Sequence, residues 1–351
     1  MSLFEVRDLH VWFELPRAGE LHAVQGVSFA LEAGERFGLV GESGCGKTTT
    51  ILSLMGLLPS TAQVSGQVLL EGEDILGGGE RSMRAHRWKD VAMVFQGAMN
   101  ALNPVQRVID QIVEPIEYHQ VAGGKKAKAI AADLLERVGI AAATGGRYPH
   151  EFSGGMRQRA AIAMALACNP KVLLADEPTT ALDVMVQAQI LELLVSLSDD
   201  LGLTLVLVTH DLPVVAEVCG RAAVMYAGKI AESGPMERLY HDPRHPYTRL
   251  LFSATPDLYG EDAVVSIPGV PPRLDRPIEG CSFRARCDSA FGPCATQMPV
   301  LVDVAEAQRA ACHLNDLSET ERAERQGGAA GAAAGGGTGT AASAGAGASA
   351  P

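Results

Sequence analysis

Gly41-Glu42-Ser43-Gly44-Cys45-Gly46-Lys47-Thr48 decides the fold. It fits the pattern G-x-x-x-x-G-K-S/T without a mismatch. An apolar strand pattern over 36–40 precedes it, and a helical pattern over 49–58 follows. Glycines let a backbone turn so that successive N–H groups face one anion. A helix that starts there adds the positive end of its dipole. Gly41, Ser43, Gly44, Cys45 and Gly46 are therefore expected to wrap phosphates, with Lys47 bridging the outer ones. The Thr48 hydroxyl is placed to ligate Mg²⁺, and Thr49 continues the anion-facing turn. The expected ligand is Mg²⁺–ATP or Mg²⁺–GTP.

The chain has 351 residues, 47% of them hydrophobic, which allows a full core. A formal charge of -12 argues against broad nucleic-acid binding. No apolar run reaches the ~18 residues of a membrane span, and the N-terminal residues lack the apolar core of a signal peptide. A cytoplasmic protein is expected. Its seven cysteines are then thiols or metal ligands rather than disulfides.

Strand patterns at 4–13 and 23–31 open the chain, and further ones lie at 64–70 and 91–95. From about 104 to 167 the pattern turns helical, most clearly over 127–138 and 156–167. Strand and helix then alternate through 172–175, 184–197, 204–208 and 212–218, before a hairpin at 222–226 and 229–233. Such alternation predicts an α/β fold with a mostly parallel core sheet. It carries an antiparallel β subdomain and an inserted helical subdomain, about 97–168. Residues 1–235 form the expected ATPase unit. Proline and cysteine mark 236–320 as a separate extension, and 321–351 reads as a disordered Ala/Gly-rich tail.

Val172-Leu173-Leu174-Ala175-Asp176-Glu177 is an apolar strand that ends in two carboxylates. Asp176 at its tip can reach Mg²⁺ beside Thr48. Glu177, one residue on, can polarise an attacking water.

Phe152-Ser153-Gly154-Gly155-Met156 resembles the signature motif of ABC-type ATPases. Ala181-Leu182-Asp183 resembles their D-loop, Thr209-His210-Asp211 their switch histidine and Gln96 their Q-loop glutamine. The order and spacing match over roughly 3–235. The resemblance implies a catalytic set of Glu177, His210 and Lys47, with Gln96 sensing Mg²⁺ and Phe13 stacking on adenine. It also implies a head-to-tail dimer in which Ser153, Gly154, Gly155 and Asp183 face the partner's ATP. Where many relatives have glutamine, this chain has Met156, a weak acceptor. That variant resembles one of two non-identical ATPases of peptide importers, so the implied partner is a second, different ATPase.

His241-Asp242-Pro243-Arg244-His245-Pro246-Tyr247-Thr248-Arg249-Leu250-Leu251 closely resembles a segment of dipeptide, oligopeptide and nickel importer ATPases. It implies an ATPase on the cytoplasmic face of the membrane, held by two permease subunits and supplied by an external binding protein. The alternative class, a soluble ABC ATPase of DNA repair or translation with a zinc module, lacks its usual insertions or second ATPase half here. Cys281, Cys287, Cys294 and Cys312 follow a C-x5-C-x6-C-x17-C spacing. Three readings stay open: an iron–sulfur cluster (4Fe–4S), favoured by the wide spacing, a zinc ion, or no metal. Cys45, inside the phosphate loop, is a candidate for thiol-reagent sensitivity.

Overall fold

The computed structural model describes residues 2–15, 19–97, 101–254 and 267–333, with backbone alone over 327–333. The first layer is an antiparallel sheet of β1 (Phe4–Leu15), β2 (Gly19–Leu31), β4 (Ala62–Leu70) and β5 (Glu73–Asp74), in the order β2-β1-β4-β5. In β1 the buried positions are Phe4 and Val6, then Leu9 and Val11. The parity changes at Asp8, which sits at φ 46° where the register shifts. A one-residue offset sends alternate side chains to the opposite face. That offset puts Phe13, rather than Trp12, on the face of Leu9 and Val11.

The second layer is an eight-stranded sheet in the order β11-β12-β10-β9-β3-β8-β7-β6. Its strands are β3 (Arg36–Val40), β6 (Val91–Val94), β7 (Val172–Asp176), β8 (Thr204–Thr209), β9 (Arg221–Tyr226), β10 (Lys229–Pro235), β11 (Val302–Ala305) and β12 (Gln308–Ala310). Strands β9, β3, β8, β7 and β6 run parallel. They read as continuous apolar runs because both faces are covered. Val206, Val208, Leu174 and Leu39 face the antiparallel sheet and α1 (Lys47–Leu54). Leu205, Leu207, Leu173 and Val224 share the second core with the helices beyond.

α2 (Gly79–His86) bridges the two sheets in sequence. α3 (Val108–Tyr118), α4 (Gly124–Arg137) and α5 (Gly154–Ala165) form the inserted helical subdomain. Val108, Ile112 and Ile116 recur every four residues on α3 and are fully buried, as are Ala127, Ala131 and Leu135 of α4. This is the one-faced stripe of an amphipathic helix. α6 (Val184–Leu201) and α7 (Leu212–Val218) return the chain to the parallel sheet. Between β9 and β10, Ala227 and Gly228 both take positive φ, the two-residue turn that suits a hairpin.

The residues from 236 onward, expected as a separate extension, are joined to the ATPase sheet. After α8 (Met236–His241) and α9 (Pro246–Ser253), β12 pairs antiparallel with β10 through Glu232↔Ala310 and Ser233↔Arg309. Glu232 is fully buried and accepts from the N–H groups of Arg244 (2.8 Å) and His245 (2.9 Å) and from Gln308 Nε2 (2.8 Å). β11 and β12 are too short to stand out in a Pro-rich sequence. The expected tail, 321–351, also differs in part, because α10 (Glu319–Ala333) is helical across 321–333. Ser318 and Glu321 cap it reciprocally, and Glu, Arg and Ala propagate it. The remainder of that tail, 334–351, lies outside the described residues.

Candidate active site

Four neighbouring strands, β3, β8, β7 and β6, end at one edge of the sheet, where open α/β sheets place ligands. β3 delivers the phosphate loop, β8 His210, β7 Asp176 and Glu177, and β6 Gln96. Gly41 takes φ 151° and Gly46 φ 108°. A Cβ on Gly41 would lie 2.3 Å from the Met225 carbonyl oxygen, and one on Gly46 2.5 Å from that of Ala23. Only glycine satisfies both the conformation and the space. α1 begins at Lys47 with no side-chain cap and no acid in its first turn. Its first N–H groups are therefore available to an anion.

Phe13, Ser43, Gly44, Gly46, Lys47, Thr48, Thr49, Gln96 and Glu177 line one cavity of about 490 Å³. Lys47 is buried and its Nζ donates to the carbonyls of Gly41 (2.6 Å) and Glu42 (3.1 Å). Thr48 Oγ1 donates to Asp176 Oδ1 at 3.3 Å. Burial raises the Asp176 carboxyl to about 6 and the Glu177 charge adds to the rise, while the Thr48 hydrogen bond and Lys47 oppose it. An ionised Asp176 is thus unfavourable until a cation joins it, which fits Mg²⁺ held by Thr48 and Asp176.

Glu177 is the hub. Its Oε2 accepts from Gln96 Nε2 (2.8 Å) and Thr180 Oγ1 (2.9 Å), and its Oε1 meets His210 Nδ1 at 3.0 Å. Burial pushes its carboxyl up, but the hydrogen bonds from His210 and Thr180 prevail and hold it below the usual range. Its backbone takes φ 43°, rare outside glycine, with its N–H fixed to the Val208 carbonyl at 2.8 Å. Gln96 and His210 both rest on this carboxylate. Thr180 carries no motif signal beyond its position three residues after Glu177.

Ser153, Gly154, Gly155 and Asp183 lie outside this cavity. The Ser153 hydroxyl accepts from the Met156 N–H (3.3 Å) and caps α5, and Asp183 caps α6 through the Val186 N–H (3.0 Å). A Cβ on Gly155 would approach Val186 to 2.8 Å, so α5 and α6 pack closely there. Cys45 is buried, and burial pushes its thiol up against the opposing pull of Lys47. The expectation of a reagent-sensitive thiol is corrected accordingly, since reactivity needs exposure and a low pKa.

The extension reaches into the same site. The Glu42 N–H donates to the Tyr247 hydroxyl at 2.9 Å. The Glu42 carboxylate is gripped by Arg286 through Nη1 (2.6 Å) and Nη2 (2.8 Å). Tyr247 belongs to the His-Pro-Tyr segment, so that segment braces the phosphate loop. Cys281 and Cys287 flank the Arg284–Arg286 turn, and the Cys281 N–H donates to the Cys294 carbonyl at 2.9 Å. Burial raises the Cys287 and Cys312 thiols to about 12; Cys281 and Cys294 add to the rise at both, and Cys287 adds to it at Cys312. The four sulfurs therefore share one neighbourhood. Among the described residues, no three His, Cys, Asp or Glu side chains are arranged to hold a metal ion.

A second cavity, of about 530 Å³, lies away from the nucleotide loop and is lined by Arg84, Trp88, Asn103, Gln111, Tyr118 and Met164 among others. Among the described residues, no helix is long and apolar enough to cross a membrane.

A phosphate loop, a strand-tip Asp–Glu pair and a histidine on the glutamate define a nucleoside-triphosphate hydrolase of the P-loop class. Residues 24–180 match the family model for the ABC transporter, and 231–294 match that for the oligopeptide/dipeptide transporter C-terminal region. A probable peptide ABC transporter ATP-binding protein of Sinorhizobium fredii is 47% identical over 88% of this chain and 94% of its own length. The oligopeptide transport ATP-binding protein OppD of Bacillus subtilis is 45% identical over 87% of this chain and 86% of its own. The dipeptide transport ATP-binding protein DppD of the same organism is 44% identical, over 90% and 95%. Among solved structures, the dimeric post-hydrolysis form of the ATP-binding cassette MJ0796 with ADP and Pi superposes with a TM-score of 0.60. It is 26% identical and covers 66% of this chain and 98% of its own. The chain belongs to the ABC transporter family of ATP-binding proteins.

Proposed function

We propose that this chain is the ATP-hydrolysing subunit of a peptide importer. One observation carries the reading: the oligopeptide/dipeptide-type C-terminal region is built onto the phosphate loop, through Tyr247 and Arg286 on Glu42. ATP is the substrate. The loop amides and Lys47 bind its phosphates, and Thr48 and Asp176 hold the Mg²⁺ that accompanies them, with Gln96 alongside. Glu177, ionised at neutral pH, orients water for attack on the terminal phosphorus and takes up its proton as the bond to ADP breaks. His210 fixes Glu177 through its Nδ1.

The site is completed by a second ATPase subunit. Ser153, Gly154, Gly155 and Asp183 lie outside the cavity they would serve. Val184 and Met185 beside Asp183 are 78% and 72% exposed, apolar surface that a facing subunit would cover. Met156 in place of glutamine favours a non-identical partner. The groove at Trp88 and Tyr118 is the proposed seat of the permease subunits. It lies where α2 and Trp88 meet the helical subdomain, which Gln96 after β6 links to Glu177. These contacts would hold the chain at the cytoplasmic face, with peptide delivered by an external binding protein. Peptide-stimulated ATP hydrolysis by the assembled complex tests this reading.

The four C-terminal cysteines are proposed to hold an iron–sulfur cluster. Their support is a shared neighbourhood in which Cys281 and Cys294 raise the Cys287 and Cys312 thiols, a repulsion that a thiolate-bound iron cluster would relieve. Iron and acid-labile sulfide in about four-to-four ratio per chain, after anaerobic purification, is the expected result. Zinc or no metal contradicts it.

A further inference from the structure

The nucleotide cavity has an apolar end that the phosphate-site residues do not account for. It is lined by Phe13, Leu21 and Ala23 of the antiparallel sheet together with Pro271, Pro272 and Leu274 of the C-terminal region. Ser43, Lys47 and Thr48 line the same cavity. A triphosphate seated on the loop would therefore extend its base towards this end.

The C-terminal side is held in place at two points. The Leu274 carbonyl accepts from the His22 N–H of β2 at 3.2 Å. The Pro268 carbonyl accepts from Arg286 Nε at 2.7 Å. Arg286 is the residue whose guanidinium grips Glu42 of the phosphate loop, and its side chain is 3% exposed. One buried cation thus ties the strap and the loop together. Tyr226 adds its ring to the guanidinium at 5.8 Å and its hydroxyl to Nη1 at 3.3 Å. The two consecutive prolines restrict the backbone between the anchors, so little ordering is left for ligand binding to impose.

We propose that residues 271–274 are the second wall of the base pocket. The adenine of ATP is clasped between Phe13 and this wall rather than stacked on Phe13 alone. The C-terminal region then acts as a specificity element of the nucleotide site, with Arg286 as the positioning residue that sets its distance from the phosphate loop. The inference rests on the ATP reading above and adds the wall to it.

The test compares two probes on the full chain: Mg²⁺–ATP and Mg²⁺–inorganic triphosphate, which lacks base and ribose. Pro272→Ala with Leu274→Ala trims the wall and leaves the backbone anchor at 274 intact. ATP affinity is expected to fall about five- to tenfold, the size of a lost apolar contact, with triphosphate affinity within about twofold of the parent. Arg286→Gln is expected to weaken both probes, because it releases the loop and the strap together. Unchanged ATP affinity in the wall variant overturns the proposal. An equal loss for both probes also overturns it, since the segment would then act only by propping the loop. Failure of the parent chain to bind either probe would instead overturn the ATP reading, and the wall with it.

Discussion

Replacing Glu177 with glutamine is expected to lower steady-state ATP turnover of the assembled complex by roughly 10²–10⁴-fold, with ATP binding retained. The substitution keeps the size of the side chain and removes the proton acceptor. The position is rigidly defined, with Gln96, Thr180 and His210 all converging on this carboxylate. The backbone pays for that aim with φ 43° and is pinned to Val208. A group held below the usual carboxylate range stays ionised well into mildly acidic solution. Acidification to about pH 5 should therefore not by itself mimic the variant. The check is phosphate release under saturating ATP, beside ATP binding measured without turnover. Parental turnover in the variant would remove Glu177 from the catalytic role.

Lys47→Ala is expected to weaken Mg²⁺–ATP binding by about 100-fold or more. A buried ammonium facing phosphate makes charge-assisted hydrogen bonds, each worth about 1.5–3 kcal/mol, and two such bonds span that range. In the structure Nζ rests on the Gly41 and Glu42 carbonyls, so the loop is already wrapped around the charge that it presents. Removing the ammonium leaves those carbonyls without their donor and also costs about 1–3 kcal/mol of stability. Thermal unfolding and nucleotide titration on the same preparation separate the two effects. ATP bound as tightly by a folded Lys47→Ala chain as by the parent would contradict the phosphate role.

The parts of the fold legible in the sequence are those whose signals are local. β3, the glycine loop and α1 are contiguous, and Gly41 and Gly46, which take positive φ, are the two fixed glycines of the motif. β7 and β8 are buried on both faces and appear as plain apolar runs ending at Asp176 and at His210. What escaped the sequence depends on distant pairs. The Glu42–Arg286 ion pair joins residues 244 positions apart, and neither side chain stands out in its own segment. Pro271 and Pro272 carry no site signal of their own, yet the structure brings them into the same cavity lining as Phe13. The bulge at Asp8 that selects Phe13 over Trp12 is equally invisible, because two adjacent aromatics fit either parity. The inertness of Cys45 follows from the core packed around it and not from the loop motif that contains it.

The extension also gives the resemblance of the His-Pro-Tyr segment a physical content. His245 is buried and accepts from the Tyr247 N–H at 3.0 Å, which starts α9, while burial drives its imidazole down to about 4. It is therefore neutral throughout the physiological range, with its ring nitrogen free to accept. Tyr247 is then oriented so that its hydroxyl meets the Glu42 N–H. The C-terminal region is in this way part of the nucleotide site's support.

The most direct measurement is ATP hydrolysis by this chain assembled with permeases and the proposed second ATPase in a lipid bilayer, with and without peptide-loaded binding protein. The account predicts that peptide delivery accelerates hydrolysis and that Glu177→Gln abolishes the acceleration. Hydrolysis indifferent to peptide, or equally fast in the Glu177→Gln complex, would contradict it.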